Sequence, residues 1–194
     1  MRSDDAQAPA RLGSHTRRTL LGACIAGCIA PWAWADTTPA ITFFEINRDD
    51  DAVSLSYAVD FVLAPAVEDA LMKGVPLHFV AQAKVFGNRW YWRDRRIANA
   101  TRTWRVAYQP LTANYRVSFG GLSRSYPNRA EAFAGVQRAV HWRVVEPGQI
   151  EAGVRHYLEF SFRLDTSQLP RPMQLGIGGE SDWTLEVERT LAFR

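Results

Sequence analysis

Cysteine is scarce in this chain, and both copies, Cys24 and Cys28, stand among the first 35 residues. Everything after residue 35 therefore lacks disulfides, thiol nucleophiles and thiolate metal ligands. Histidine is also rare there, and His78, His141 and His156 do not stand at metal-ligand spacing from one another or from a carboxylate. We expect neither a metal site nor a cofactor.

The three histidines are expected in different surroundings. His78 alternates to the polar side of a predicted strand, and His141 stands at the end of a predicted helix beside Trp142. His156 falls on the apolar face of a strand, where a hydrogen-bonded core histidine is far more common than a metal ligand. We interpret His156 as structural.

Motifs for catalysis are missing as well, beginning with the Gly-x-Ser-x-Gly elbow that a serine nucleophile would need. The glycine-rich stretch 176–181 is followed by strand-like residues, which favours a hairpin turn over a phosphate loop. The cluster Asp49, Asp50 and Asp51 lacks the spacing and the distal glutamate of a calcium loop, so we interpret it as a solvated turn. No catalytic residue is predicted, and we expect that the protein is not an enzyme.

The chain after residue 35 has almost equal numbers of basic and acidic residues. The first 35 residues hold four arginines and two aspartates, which leaves 19 basic and 18 acidic residues in the rest of the chain. A net charge of +1 does not supply the attraction to phosphates on which nucleic-acid binding depends. We therefore expect no nucleic-acid partner.

What is present begins with the residue order of a secretory signal. A polar segment ends at Arg17 and Arg18, an apolar run follows over 19–35, and Ala33 and Ala35 are the small residues that a signal peptidase accepts. The pattern predicts a signal peptide over 1–35, cleaved before Asp36, and one β-rich envelope domain over 36–194. The expected location is the periplasm.

The route and the anchor stay open at this point. The segment from Thr16 to Leu21 resembles a twin-arginine export signal, and a plain Sec signal that contains two arginines is the alternative. The segment from Ile25 to Cys28 resembles a lipobox, which would make the protein a lipoprotein anchored at Cys28. An uncleaved anchor is disfavoured because the apolar run is short for ~30 Å of hydrocarbon. Membrane contact is expected only if Cys28 is lipidated or the leader is retained.

Apolar and polar residues then alternate repeatedly, which is the period-2 pattern of half-buried strands. The spacing predicts a mainly β fold, an antiparallel β-sandwich or a curled sheet with two short helices. The residues predicted to face the core are Val53, Leu55, Tyr57, Val59 and Phe61; Leu77, Phe79, Ala81, Ala83 and Val85; Val154, His156, Leu158, Phe160, Phe162 and Leu164; and Trp183, Leu185, Val187, Leu191 and Phe193.

Two segments interrupt the alternation and predict helices. The first runs from Pro65 to Lys73, with proline at its first position and Gly74 just past its end. The second begins at Asn128 with a capping box, and the apolar spacing of three and four residues carries it to about Val140.

The stretch from Arg89 to Arg96 combines aromatic and basic residues, as do surfaces that bind anionic ligands. Strand alternation there points Trp90 and Trp92 inward, with Trp104, Val106, Tyr108, Tyr115, Val117 and Phe119 of the next two strands. It leaves five side chains on one solvated face: Arg89, Tyr91, Arg93, Arg105 and Arg116. We predict that this face binds an envelope protein or an anionic envelope component such as a phosphate-bearing glycolipid.

The alternative is an ordinary exposed sheet whose arginines pair with Asp94 and Glu159. The predicted function is that of an exported, non-catalytic binding or accessory module. One competing prediction is a cell-wall or carbohydrate-active enzyme that uses Asp94 and Glu159, which requires both carboxyl groups to converge in a cleft. Another is a membrane-anchored structural lipoprotein.

Several short motifs together resemble a proteobacterial secreted family that is known only as domain of unknown function number 4390. The resemblance runs from about Ile41 to Arg194, and its motifs are specific only in combination. They are Val67-Glu-Asp-Ala-Leu71, Lys73-Gly-Val-Pro-Leu77, Trp90-Tyr-Trp-Arg-Asp94, Tyr115-Arg-Val-Ser118, Gly120-Gly-Leu122, Leu164-Asp-Thr-Ser-Gln-Leu-Pro170 and Asp182-Trp183.

The resemblance implies an envelope protein with one compact β-rich domain and no assigned activity, cofactor or catalytic residue. Genes of the family often lie beside a gene for a membrane sensor histidine kinase. The resemblance therefore implies a sensory accessory role with such a kinase as partner.

Overall fold

A computed structural model describes residues 38–49, 52–87, 94–150, 153–169 and 183–193, all within the compact unit Asp36–Arg194. These residues form nine strands and two helices, arranged in two antiparallel sheets. The prediction of a mainly β, antiparallel fold with two short helices is confirmed.

The chain begins in the small sheet, enters the large one, returns to the small sheet for one strand and ends in the large sheet. In chain order they are β1 (Ala40–Asp49), β2 (Ala52–Asp60), α1 (Pro65–Met72), β3 (Leu77–Gly87), β4 (Arg95–Gln109), β5 (Asn114–Phe119), β6 (Leu122–Tyr126), α2 (Arg129–Gln137), β7 (Arg138–Val145), β8 (His156–Leu164) and β9 (Glu186–Phe193). A short 3₁₀ turn, Thr166–Gln168, follows β8.

The small sheet has the strand order β1-β2-β7, and the large sheet has the order β6-β5-β4-β3-β8-β9. Strand β3 pairs with β4 on one side and β8 on the other along nearly its whole length. Its burial alternates at every residue, with Leu77, Phe79, Ala81, Ala83 and Val85 buried. This is the set that the sequence predicts, because successive strand side chains point to opposite faces.

The core lies between the two sheets and is rich in aromatic rings. Tyr57 of β2 packs against Phe160 of β8 with ring centroids 4.6 Å apart. Phe79 contacts the rings of Phe61, Phe133 and Phe162 at 5.5, 5.8 and 6.0 Å. The sheets therefore pack face to face, as in a sandwich.

Helix α1 follows its sequence signals closely. Pro65 occupies the first turn, where a missing N–H costs nothing. Gly74 takes φ +87° just past the end, and its N–H donates to the carbonyl of Leu71 at 2.8 Å. Glycine adopts this left-handed conformation at little cost, and a residue in that conformation ends the helix. The helix therefore ends where the sequence predicts.

Helix α2 begins as predicted, with the Asn128 side chain accepting from the Glu131 N–H at 2.9 Å. It ends at Gln137, however, so the predicted continuation to Val140 is wrong. Val140 lies in β7 and is 69% exposed. The apolar spacing was misleading because Ala139 and Trp142 pair with Tyr57 and Leu55 of β2, and strand pairing overrides local helical periodicity.

His141 is accordingly not at a helix end but inside β7. It adopts φ +48°, and its N–H donates to the hydroxyl of Ser56 at 3.1 Å. The pairing register shifts at this point, which is the geometry of a β-bulge.

The two sheets differ in width, and among the described residues the small sheet covers only part of the large one. At one side β1 lies near β9, where the Arg189 guanidinium stands 5.3 Å from the Phe44 ring. At the other side β7 lies near β3 and β4, so β5 and β6 extend past the edge of the small sheet. Helix α2 contacts β5 and β6, yet Phe119 and Leu122 stay 40% and 79% exposed on the core-side face. We call β5, β6 and the adjoining part of β4 the overhang.

Candidate functional site

Two of the predicted interaction residues, Arg105 and Arg116, share the outer face of the large sheet, the face turned away from the small sheet. Arg105 of β4 stands opposite Ser118 of β5, and Arg116 is two residues from Ser118 on the same strand. Both arginines are exposed, and neither forms an ion pair within the described part of the chain. Strand alternation therefore brings the two guanidinium groups to one solvated surface.

The other predicted site residues lie outside the described residues. They are the surface residues Arg89, Tyr91 and Arg93, the signal residues Arg17, Arg18, Ala33 and Ala35, the lipobox residue Cys28, the inward-predicted Trp90 and Trp92, two of the acidic cluster, Asp50 and Asp51, and the glycine-rich stretch 176–181.

Asp94 and Glu159 both lie near Tyr157 on the outer face. The Tyr157 hydroxyl donates to Asp94 Oδ2 at 2.8 Å, and its ring stacks on Phe86 with centroids 5.1 Å apart. Desolvation by burial, followed by the Asp94 hydrogen bond and the charges of Asp94 and Glu159, raises the pKa of Tyr157 to about 12. Asp94 thus anchors a tyrosine and is not simply a counter-ion for the arginines.

A polar depression of about 210 Å³ opens on the outer face over β3, β8 and β9. Lys84, Glu159 and Glu188 line it, together with Gln82, Phe160, Ser161 and Thr190. Asp94 is not among its lining residues, so the structure does not place the two predicted carboxylates together in this depression. No group of three metal-ligating side chains occurs among the described residues.

His78 faces outward as predicted, directly opposite Arg105 in the register of β3 and β4. Its Nδ1 is buried and has no hydrogen-bond partner among the described residues. Desolvation by burial, then the charge of Arg105, lowers the pKa of His78, while Asp165 acts in the opposite direction. The imidazole is therefore held neutral beside the arginine surface. His156, by contrast, is 1% exposed and stacks on Phe193 at 5.7 Å, in the core position that its strand predicts.

The near-zero net charge conceals a strong separation of charge along the chain. Residues 95–145, which form β4 to β7, contain nine arginines and a single acidic residue, Glu131. The remainder of the chain after residue 35 contains 10 basic and 17 acidic residues. The segment that includes the overhang is therefore strongly basic, and a count of charge in windows along the sequence would have detected it.

The inner face of the overhang carries an arginine that the sequence analysis missed. Arg102 stands opposite Ala81 of β3 and hence on the core side of β4. Its guanidinium carbon lies 5.0 Å from the Trp142 ring centroid and 5.6 Å from that of Phe119. Desolvation by burial lowers the pKa of Arg102, with the nearby Tyr57 acting in the opposite direction. No acidic side chain pairs with Arg102 within the described residues.

Arg124 and Leu122 of β6 lie on the same inner face as Arg102. The register joins Val106, Val117 and Arg124 in one row across the sheet, and Trp104, Phe119 and Leu122 in the next. Sequence alternation from Trp104 could have placed Arg102 inward, since the two residues differ by two positions. Arg124 could not have been placed, because β6 has no apolar alternation and its position follows only from pairing with β5.

The fold and these surfaces define the class of protein as an antiparallel β-sandwich domain whose large, arginine-rich sheet is wider than the described small sheet. The chain belongs to a particular family, described as a domain of unknown function (DUF4390), whose model matches residues 36–192. No curated protein and no solved structure matches the chain. None of the helices in the described ranges is long and apolar enough to cross a membrane.

Proposed function

We propose that the protein is exported to the periplasm and acts there as a non-catalytic binding or accessory module for an anionic partner. The observation that supports this proposal best is the charge of residues 95–145, nine arginines against one glutamate. Arginine is well suited to such a role because its planar guanidinium binds carboxylates and phosphates through two parallel hydrogen bonds.

The arginines of the outer face favour binding over a structural role. The alternative of an ordinary exposed sheet predicts that its arginines pair with acidic neighbours, whereas Arg105 and Arg116 form no ion pair among the described residues. By comparison, Arg129 bonds Glu68 and so ties α2 to α1. Within the described part of the chain the guanidinium groups of Arg105 and Arg116 are therefore available to a carboxylate or phosphate of a partner. An envelope protein such as a membrane sensor kinase is one such partner.

Export is the second part of the proposal and has its own test. The segment from Arg17 to Ala35 supports a cleaved leader. Mass spectrometry of the protein from the envelope fraction should give Asp36 as the first residue. A lipidated Cys28 or an intact leader would replace free periplasmic export with a membrane anchor.

The binding proposal is tested by crosslinking in cells that produce the full chain. The double variant Arg105→Ser/Arg116→Ser should lose the crosslinked partner while its thermal unfolding stays the same. The matched control is Arg155→Ser/Arg163→Ser, which removes two exposed arginines outside the basic segment. Retention of the partner by the first variant, or equal loss from both, would contradict the proposal.

A further inference from the structure

The overhang is a ledge on the core side of the large sheet that the small sheet leaves open. Strand β7 is the last strand of the small sheet, and no other described strand pairs with its outer edge. Neighbouring strands lie about 4.8 Å apart, so β5 and β6 extend roughly 10 Å beyond β4. The ledge therefore has the width of one or two extended segments, with β7 forming its wall.

Arg102 is the charged group at the base of that wall. Two aromatic rings hold its guanidinium, Trp142 on β7 and Phe119 on β5. A half-buried cation has lost part of its hydration, and no acidic side chain among the described residues compensates for that loss through an ion pair. An incoming carboxylate would do so, because charge-assisted bonds to arginine gain strength where water is excluded.

The residues beside Arg102 favour a ligand that is apolar as well as acidic. Phe119 and Leu122 are 40% and 79% exposed on the same face. Arg124 adds a second positive charge four residues further along the strands, ~14 Å at the usual strand rise. An extended segment of five or six residues spans that distance.

The recess also distinguishes a peptide from a membrane surface. Arg102 is only partly exposed and lies beneath Trp142, whereas Arg105 and Arg116 project from the open outer face. A flat layer of lipid headgroups reaches projecting side chains more easily than recessed ones. A narrow extended chain reaches both.

We propose that the inner face of the overhang binds an extended acidic segment of a partner protein, with a carboxylate on Arg102 and an apolar side chain against Phe119 and Leu122. This inference rests on the proposed binding function and assigns it a second surface, separate from the outer face. The occupant is defined by its chemistry, an Asp or Glu close to an apolar residue in an extended chain.

The test is a selection of random octapeptides against the full chain, with a parallel selection against Arg102→Gln. Peptides enriched only by the unchanged protein should carry an acidic residue near an apolar one. In fluorescence anisotropy, a labelled peptide from this set should bind at least tenfold more weakly to Arg102→Gln. Replacing its acidic residue by the amide should cause a similar loss, and the two changes together should not add.

Three further variants keep the result interpretable. Arg124→Gln changes an exposed side chain and should weaken peptide binding about threefold without affecting folding. Arg102→Lys keeps the charge without the planar fork and should bind between the unchanged protein and Arg102→Gln. Arg105→Gln, on the outer face, should bind the peptide within twofold of the unchanged protein.

Several results would overturn the inference. They are equal enrichment by both proteins, enriched peptides without acidic residues, no enrichment at all, Arg102-dependent binding to phosphatidylglycerol vesicles in place of peptides, or Arg102-dependent self-association. The crosslinking experiment on Arg105→Ser/Arg116→Ser tests the outer face independently. If that variant loses its partner while any of the above results is found for Arg102, the proposed function is supported and only the inner site is rejected.

Discussion

The two halves of the large sheet follow the same strand alternation but reach different outcomes. In β3 and β8 the inward residues are all buried, because the small sheet covers them. In β5 and β6 the inward residues Tyr115, Val117 and Tyr126 are only half-buried and Phe119, Leu122 and Arg124 remain exposed, because the small sheet, as far as it is described, ends at β7 beside β3 and β4. The same pattern therefore builds a core in one half and a candidate binding surface in the other.

The largest expected effect comes from truncating one phenylalanine in each half. Phe79→Ala removes a fully buried ring with three aromatic neighbours and should lower the free energy of unfolding by about 3–5 kcal/mol. Phe119→Ala removes a ring that is 40% exposed and should cost about 1 kcal/mol. Urea unfolding measures both values, and equal costs would mean that the overhang is covered in solution.

A second comparison concerns the hairpin that ends the overhang. Gly120 and Gly121 take φ +55° and +83° in the turn between β5 and β6, a conformation that an L side chain adopts only with strain. Gly121→Ala should cost about 1–2 kcal/mol. The control is Gly135→Ala in α2, where an added Cβ meets nothing within 4 Å and helix propensity should raise stability by up to ~1 kcal/mol.

Thermal unfolding distinguishes these glycine variants by sign as well as size. Opposite shifts in Tm are expected, downward for Gly121→Ala and upward for Gly135→Ala. A neutral Gly121→Ala would show that the turn rearranges to accept a side chain.

The third expectation is a dependence of stability on pH that originates at His78. Burial and Arg105 lower its pKa in the folded state below the ordinary value of 6.5. The unfolded chain therefore binds the proton more readily than the folded protein. Protonation of His78 should lower the free energy of unfolding as pH falls below 6.5, and this loss should be absent at higher pH, where His78 is neutral in both states. Unfolding curves between pH 5 and pH 8 should show a smaller loss at low pH for His78→Gln.

His156→Gln is not a useful control for that experiment, because it alters the core. Arg105→Ser is more informative, since it removes the charge that opposes protonation of His78. The acid-side loss should become smaller in that variant as well. An unchanged pH dependence in both variants would assign the effect to other groups.

The smallest expected effect is that of Arg105→Ser/Arg116→Ser on stability. Both side chains are exposed, and substitutions at such sites usually change the free energy of unfolding by less than ~0.5 kcal/mol. A larger decrease in the free energy of unfolding, measured in urea, would show that the outer arginines stabilise the fold. The contrast between the buried strands β3 and β8 and a binding surface on β4 and β5 would then be weaker.

Local sequence patterns sufficed where a single physical cause decides the structure. The alternation in β2, β3 and β8 was read correctly because burial on one face is imposed on every second residue. Helix α1 was read correctly because proline and glycine restrict the backbone at its two ends. The predicted end of α2 is wrong because Val140 follows Phe133 and Val136 at helical spacing, whereas the pairing of Ala139 and Trp142 with β2 places Val140 in a strand, and only the partner strand decides.

The sequence by itself determined the class of fold, the core residues of the central strands and the outward position of Arg105 and Arg116. These features depend on the period of the strand and on local backbone preference. Only the tertiary structure decided that Arg102, Phe119 and Leu122 lie together beside β7, on a ledge that the described strands of the small sheet do not cover. That arrangement depends on the number of strands in each sheet and on their order, and such long-range pairing leaves no periodic signal in the residues themselves.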